Sequence, residues 1–137
     1  MEQLLLKDLC ARLPYGVKVE SVFINTDTKK RKSCGIEVFD ATCILMIRDG
    51  FGEFKPYLFP LSSLTEEQRN YISKLLIDTQ NEFPPYGELS AKGCDNLFVC
   101  SVKQANVLIN YCLANHLDIN GLIEKGLAID ATGLNIY

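Results

Sequence analysis

The chain of 137 residues has one histidine and no tryptophan. With a single imidazole, most hydrolase and redox constellations are missing, because they set histidine beside a nucleophile or several histidines around a metal. No G-x-G-x-x-G, no G-x-x-x-x-G-K-[ST] and no H-E-x-x-H occurs, so the common phosphate-cradling and zinc-protease motifs are absent. Ser62-Ser63 lacks the flanking glycines of a nucleophile elbow. An excess of one charge is lacking too. Fourteen Lys and Arg against 17 Asp and Glu leave a net charge of −3, too weak a field to favour nucleic acid or a membrane surface. No apolar run approaches the ~20 residues of a membrane helix. The start, MEQLLLKDLCARL, has Glu2 where a signal peptide carries positive charge, and Lys7 and Asp8 interrupt its apolar run. Six cysteines are present (Cys10, Cys34, Cys43, Cys94, Cys100 and Cys112), without a C-x-x-C pair or zinc-finger spacing. The expectation is a cytoplasmic protein with reduced thiols, most of them small buried hydrophobes. A disulfide or metal framework is the lesser alternative.

What is present suits one domain of ordinary globular composition, 47% hydrophobic and 23% charged. Residues 2–13 read as a helix with Leu5, Leu6, Leu9 and Leu13 on one side and Lys7, Asp8 and Arg12 pointing elsewhere. Pro14 and Gly16 end it. Residues 17–24 alternate, with Val17, Val19, Ser21 and Phe23 on one face, as in a strand with one wet side. Asn25 to Ser33 is polar and reads as a hairpin tip. Residues 35–48 read as a second, longer strand, apolar on both faces from Cys43 to Ile47. Asp49-Gly50 with Gly52 marks a tight turn into a third strand over 53–59, which Pro56 places on an edge or in part demotes.

Lys55 to Gln68, KPYLFPLSSLTEEQ, is where strands give way to helices. Thr65 with Gln68 fits a capping box, Ser63 with Glu66 fits the same box two residues earlier, and Glu66 and Glu67 suit the positive end of the helix dipole. That helix runs to about Gln80. Residues 81–96 read as a long connection, 103–116 as a helix, and 119–126 as a short last helix with Leu122 and Ile123 inward and Gly126 as its C-cap. Leu127 to Tyr137 returns as an extended tail.

Three groups could carry chemistry. Lys29, Lys30, Arg31 and Lys32 could grip a phosphate as point charges on a loop; the plainer reading is a solvated tip whose lysines guard a sheet edge. Tyr57, Phe59, Tyr71, Phe83, Tyr86 and Phe98 could form an aromatic surface around the prolines, suited to a base or a partner; core packing is the bland alternative. Cys112 and His116, four apart on the predicted helix with Asp118 just beyond, could hold zinc or pair a nucleophile with a base. A second ligand cluster is missing, and an imidazole near a helix C-terminus is favoured by the dipole alone, so a structural role is preferred. No catalytic residue, metal or cofactor is assigned.

KPYLFPLSSLTEE resembles the K-P-Y-L-x-P-[LM]-S-S-[LM]-T-E-E segment of a family of small proteins encoded by Bacteroides-type phages, prophages and mobile elements. HLDINGLIEKGLAIDA (116–131) is similar to that family's H-x-D-x-x-G-L-I-E-K-G-L-A-[IL] ending, and LLLKDLCARLPYGVKV (4–19) is similar to its start. Phe59 and Asn120 stand where the family pattern carries arginine, so an anion site at those two positions does not transfer. The resemblance implies a phage or mobile-element origin and the cytoplasm of a bacterial host, and it implies no activity.

The expectation is therefore a single α+β domain over 1–137, a small antiparallel sheet of about three strands packed by about four helices. Its function reads as non-enzymatic binding, countering host defence through a host or phage protein. The alternatives are sequestration of a nucleotide second messenger and a small cysteine- or metal-dependent enzyme. Lys29, Lys30, Arg31, Lys32, Tyr57, Phe59 and Tyr86 are the candidate ligand or partner contacts. No membrane or nucleic-acid partner is expected, and homo-oligomerisation is left open.

Overall fold

A computed structural model describes residues 2–80 and 102–137. Its elements in chain order are α1 (Glu2–Arg12), β1 (Lys18–Ile24), β2 (Arg31–Val38), α2 (Ala41–Arg48), β3 (Gly52–Leu58), α3 (Glu66–Gln80), α4 (Val102–Ala114) and β4 (Ile129–Asp130). The fold is α+β, with four α-helices and a four-stranded mixed sheet among the described residues. The strand order is β2-β1-β3-β4. β1 pairs antiparallel with both β2 and β3, and β4 joins β3 in parallel opposite Tyr57 and Leu58. The described chain falls into two compact units, 1–63 with 112–137, and 64–111.

In the first unit the core lies against the β1–β3 face. Leu9, Val17, Val19, Phe39, Cys43, Phe54, Leu58, Leu122 and Ala128 are its buried members. Phe39 and Phe54 meet edge to face with centroids 5.9 Å apart, the favoured geometry for two ring quadrupoles. β1 alternates as its sequence predicts, with Val19 and Ser21 buried between half-buried neighbours. Phe23, at the end of that row, is 39% exposed. β2 is different: all eight of its residues are exposed. It overhangs the core and carries a bulge, because its pairing slips between Ser21 and Val22, where Gly35 has φ +87°.

Three expectations need correction. The apolar run after Val38 is not strand: Ala41–Arg48 is helical, capped by Asp40, whose carboxylate accepts N–H bonds from Thr42 (2.8 Å) and Cys43 (3.1 Å). Those bonds, that to Cys43 first, hold the Asp40 carboxyl below its ordinary range. Pro56 is only partly an edge residue. β3 lies inside the sheet, but β4 reaches it only from Tyr57 onward, so the missing N–H at Pro56 falls just outside that short ladder. Residues 119–126 form hydrogen-bonded turns rather than a helix. They still close as the sequence suggests, with Leu127 N–H on Leu122 C=O (2.9 Å) and Gly126 N–H on Ile123 C=O (3.0 Å), Gly126 taking the left-handed position at φ +69°.

In the second unit the capping box is complete. Gln68 N–H donates to the Thr65 hydroxyl (3.1 Å), and Thr65 N–H donates to the Gln68 side chain (3.0 Å). Tyr71 of α3 and Tyr111 of α4 pack with ring centroids 5.0 Å apart.

Candidate functional site

Among the described residues, the predicted contacts do not form one site. Lys29 sits in the β1–β2 turn with φ +55°, Lys30 follows it there, and Arg31 and Lys32 begin β2 opposite Ile24 and Phe23. Arg31 is ion-paired with Glu53 of β3, both side chains exposed, so the pair adds little stability. Tyr57 lies at the far end of the sheet, one residue beyond the Val19–Pro56 pair. The five positions between Lys18 and Phe23 correspond to roughly 17 Å along a strand. Tyr57 is only 7% exposed, a core side chain rather than a contact. Tyr86, like Phe83, Phe98, Cys94 and Cys100, lies outside the described residues. A single pocket combining the basic tip with Tyr57 and Phe59 is not formed.

Phe59 does belong to a cluster, which brings residues of 4–19, 55–67 and 116–137 together. Phe59 bridges Leu117 in parallel. Its N–H donates to His116 C=O (2.9 Å), and Asp118 N–H donates to Phe59 C=O (2.8 Å). His116, the last residue of the helix predicted over 103–116, stands two residues past the end of α4 at Ala114, at φ +55°. Leu117 N–H on Cys112 C=O (2.9 Å) and His116 N–H on Leu113 C=O (3.1 Å) make this a Schellman closure, with histidine where glycine usually stands. Histidine is among the few side chains that tolerate that backbone region. The closure turns the imidazole onto Tyr137, whose ring it stacks at 3.9 Å and 11°. Phe59 lies 5.9 Å from the same ring. The Tyr137 hydroxyl accepts Lys18 N–H (3.0 Å) and donates to Tyr57 C=O (2.8 Å), while Lys18 Nζ donates to Ile136 C=O (2.6 Å).

Beneath this lies a buried ion pair that the sequence reading placed on the outside. Arg12 is fully buried, with Nε on Asp8 Oδ2 (2.6 Å), and Nη2 on Asp8 Oδ1 (3.1 Å) and on Leu117 C=O (2.8 Å). Asn120 donates to Asp8 Oδ1 (2.7 Å). The signal was the i, i+4 acid–base spacing on one helix. Asp118, a candidate metal ligand by sequence, instead accepts N–H bonds from Leu122 (2.8 Å) and Ile123 (2.9 Å). Among the described residues no three His, Cys, Asp or Glu side chains converge as metal ligands, and Cys10, Cys34, Cys43 and Cys112 are free thiols. Burial pushes the Cys112 and Cys43 thiols up, away from the thiolate a nucleophile needs.

Burial, and then the Arg12 and Lys18 charges, push the His116 pKa down to about 4. The native state therefore holds the ring neutral where the unfolded chain, near 6.5, takes up a proton. The stability this reflects is complete above pH 6.5 and is lost as pH falls toward 4. The shift corresponds to about 3 kcal/mol if fully felt, and about 1–2 after solvent screening of a half-buried ring. Urea unfolding at pH 7.5 and 4.5 tests it: wild type is expected to lose that much more than His116→Asn, which keeps a left-handed-tolerant residue without the titration. Equal losses would mean His116 does not titrate in this way.

A mostly apolar cleft of about 270 Å³ also opens between α1 and β3, lined chiefly by Leu5, Leu6, Ile47, Phe54 and Leu127. No family model, curated protein or solved structure matches the chain. No helix among the described residues is long and apolar enough to cross a membrane.

Proposed function

We propose that the chain is a non-enzymatic phage or mobile-element accessory protein that acts by binding, countering host defence through a protein partner in the bacterial cytoplasm. The observation that carries the binding reading is β2. Its eight residues are all exposed, and the sheet order leaves its outer edge without a strand neighbour among the described residues. Lys32 and the bulge guard the first half of that edge, as expected for a strand that must not aggregate. They do not guard Ile36 and Val38, which are 53% and 52% exposed. These two share a face with Glu20 and Lys18, their partners on β1. Apolar side chains rimmed by charge on an open strand are what β-augmentation by a partner uses. The phage context rests on the sequence resemblance alone.

The test is purification of tagged protein from a phage-susceptible host, wild type against Ile36→Lys/Val38→Lys. A defined host protein is expected with wild type and not with the variant, whose stability should stay within about 0.5–1 kcal/mol because both sites are on the surface. The same partner at the same yield from both would overturn the assignment of β2. A rise in melting temperature with a nucleotide second messenger, and no protein partner, would transfer the reading to nucleotide sequestration.

A further inference from the structure

The β1–β3 ladder ends on the pair Val19–Pro56. The next pair would be Lys18 with Tyr57, and there the strands do not bond directly. The Tyr137 hydroxyl stands between them, accepting from Lys18 N–H at 3.0 Å and donating to Tyr57 C=O at 2.8 Å. The ring behind that hydroxyl is held by its face and its surroundings: His116 stacked at 3.9 Å, Phe59 tilted at 5.9 Å, and Lys18 Nζ 5.8 Å from the ring centroid. A stacking plane, a second aromatic, a cation and a paired donor and acceptor are what selects an aromatic ring bearing one hydroxyl.

The backbone of these walls is held without the Tyr137 ring. The His116 backbone is fixed by the helix closure and by the Phe59 N–H, and Lys18 is paired with Val38 of β2 and Tyr57 with Ile129 of β4. Tyr137 itself is 44% exposed, so the ring can leave without crossing the core. Two buried polar atoms of this neighbourhood, His116 Nδ1 and Arg12 Nη1, have no hydrogen-bond partner among the described residues. Arg12 is tied here through its bond to Leu117 C=O.

We propose that the Tyr137 side chain is a displaceable occupant of a phenol-binding slot at the end of the β1–β3 ladder, and that a small phenolic ligand takes its place. This does not rest on the β2 reading. A tethered ring competes at an effective concentration of the order of millimolar, so a free ligand succeeds against wild type only at high concentration or with contacts beyond the ring. Removing the tethered ring should reveal the slot.

The experiment is a thermal-shift titration of Tyr137→Ala with p-cresol, and with toluene as the ring without the hydroxyl. p-Cresol at millimolar concentration is expected to raise the variant's melting temperature by several degrees, with a smaller rise for wild type and none from toluene. No shift with p-cresol would overturn the proposal, as would an equal shift with toluene, which would make the slot a plain apolar hole. If Tyr137→Ala does not fold, wild type titrated with both compounds by NMR decides the matter. The Lys18 amide and His116 ring resonances should move with p-cresol alone, and fixed resonances would overturn the proposal.

Discussion

Arg12→Ala is expected to cost about 3–5 kcal/mol, because it leaves the Asp8 carboxylate buried without its cation. For a chain of this size that is a large part of the total stability. Asp8 is 2% exposed and Arg12 is fully buried, joined by two hydrogen bonds, with Asn120 as the remaining partner of Asp8. The loss should appear in urea unfolding as a lower midpoint with an unchanged slope. Arg12→Lys keeps the charge but not the planar fork that reaches both Asp8 oxygens and Leu117 C=O, so it should fall between wild type and alanine. Removing both charges as Asp8→Leu/Arg12→Met should recover most of the loss, since an apolar pair of similar volume has no uncompensated ion. If the double variant were as unstable as Arg12→Ala, the pair would be contributing through Leu117 and Asn120 rather than through its own charges.

Asp118→Ala is expected to cost about 2–4 kcal/mol. The side chain is 7% exposed and takes the N–H groups of Leu122 and Ile123, and alanine leaves both donors without a partner close to the core. Leu122 is fully buried, so the turn cannot open outward without withdrawing it. Hydrogen exchange reads the effect locally: the Leu122 and Ile123 amides should lose protection in Asp118→Ala more than the amides of β1 do. Asp118→Asn keeps one acceptor oxygen and should lose about half as much. Uniform loss of protection across the chain would place the effect elsewhere than in these two bonds.

Where a local rule has one outcome, the sequence was readable. Thr65 and Gln68 announced a helix start, the alternation of Val17, Val19 and Ser21 announced a half-wet strand, and Gly126 announced a left-handed closure. Ala41–Arg48 failed because a short apolar run with a β-branched residue at either end satisfies strand and helix alike. The deciding feature, Asp40 as an N-cap, lay inside the stretch 35–48 that reads as strand. Tyr57 failed because a proline beside it suggested an edge, whereas burial depends on the distant strand β4. The Asp8–Arg12 pair was hidden by the expectation that charges face water. Its burial depends on Leu117 and Asn120, more than a hundred residues away, which no local pattern reports. The stack of His116 on Tyr137 was likewise unreadable, since it depends on a helix ending at Ala114, two residues sooner than predicted.

The Leu58 neighbourhood has a kinetic consequence. Phe59 bridges Leu117, Tyr57 pairs with Ile129, and Ala131 N–H bonds Leu58 C=O at 2.8 Å. Each joins residues more than fifty positions apart, and the β3–β4 pairing is parallel. The β1–β2 hairpin can form early from neighbours in sequence, but Leu58 stays uncovered until these distant closures are made. Contacts of such sequence separation slow the search. Refolding is therefore expected to be limited by the arrival of residues 116–131 rather than by the making of any helix.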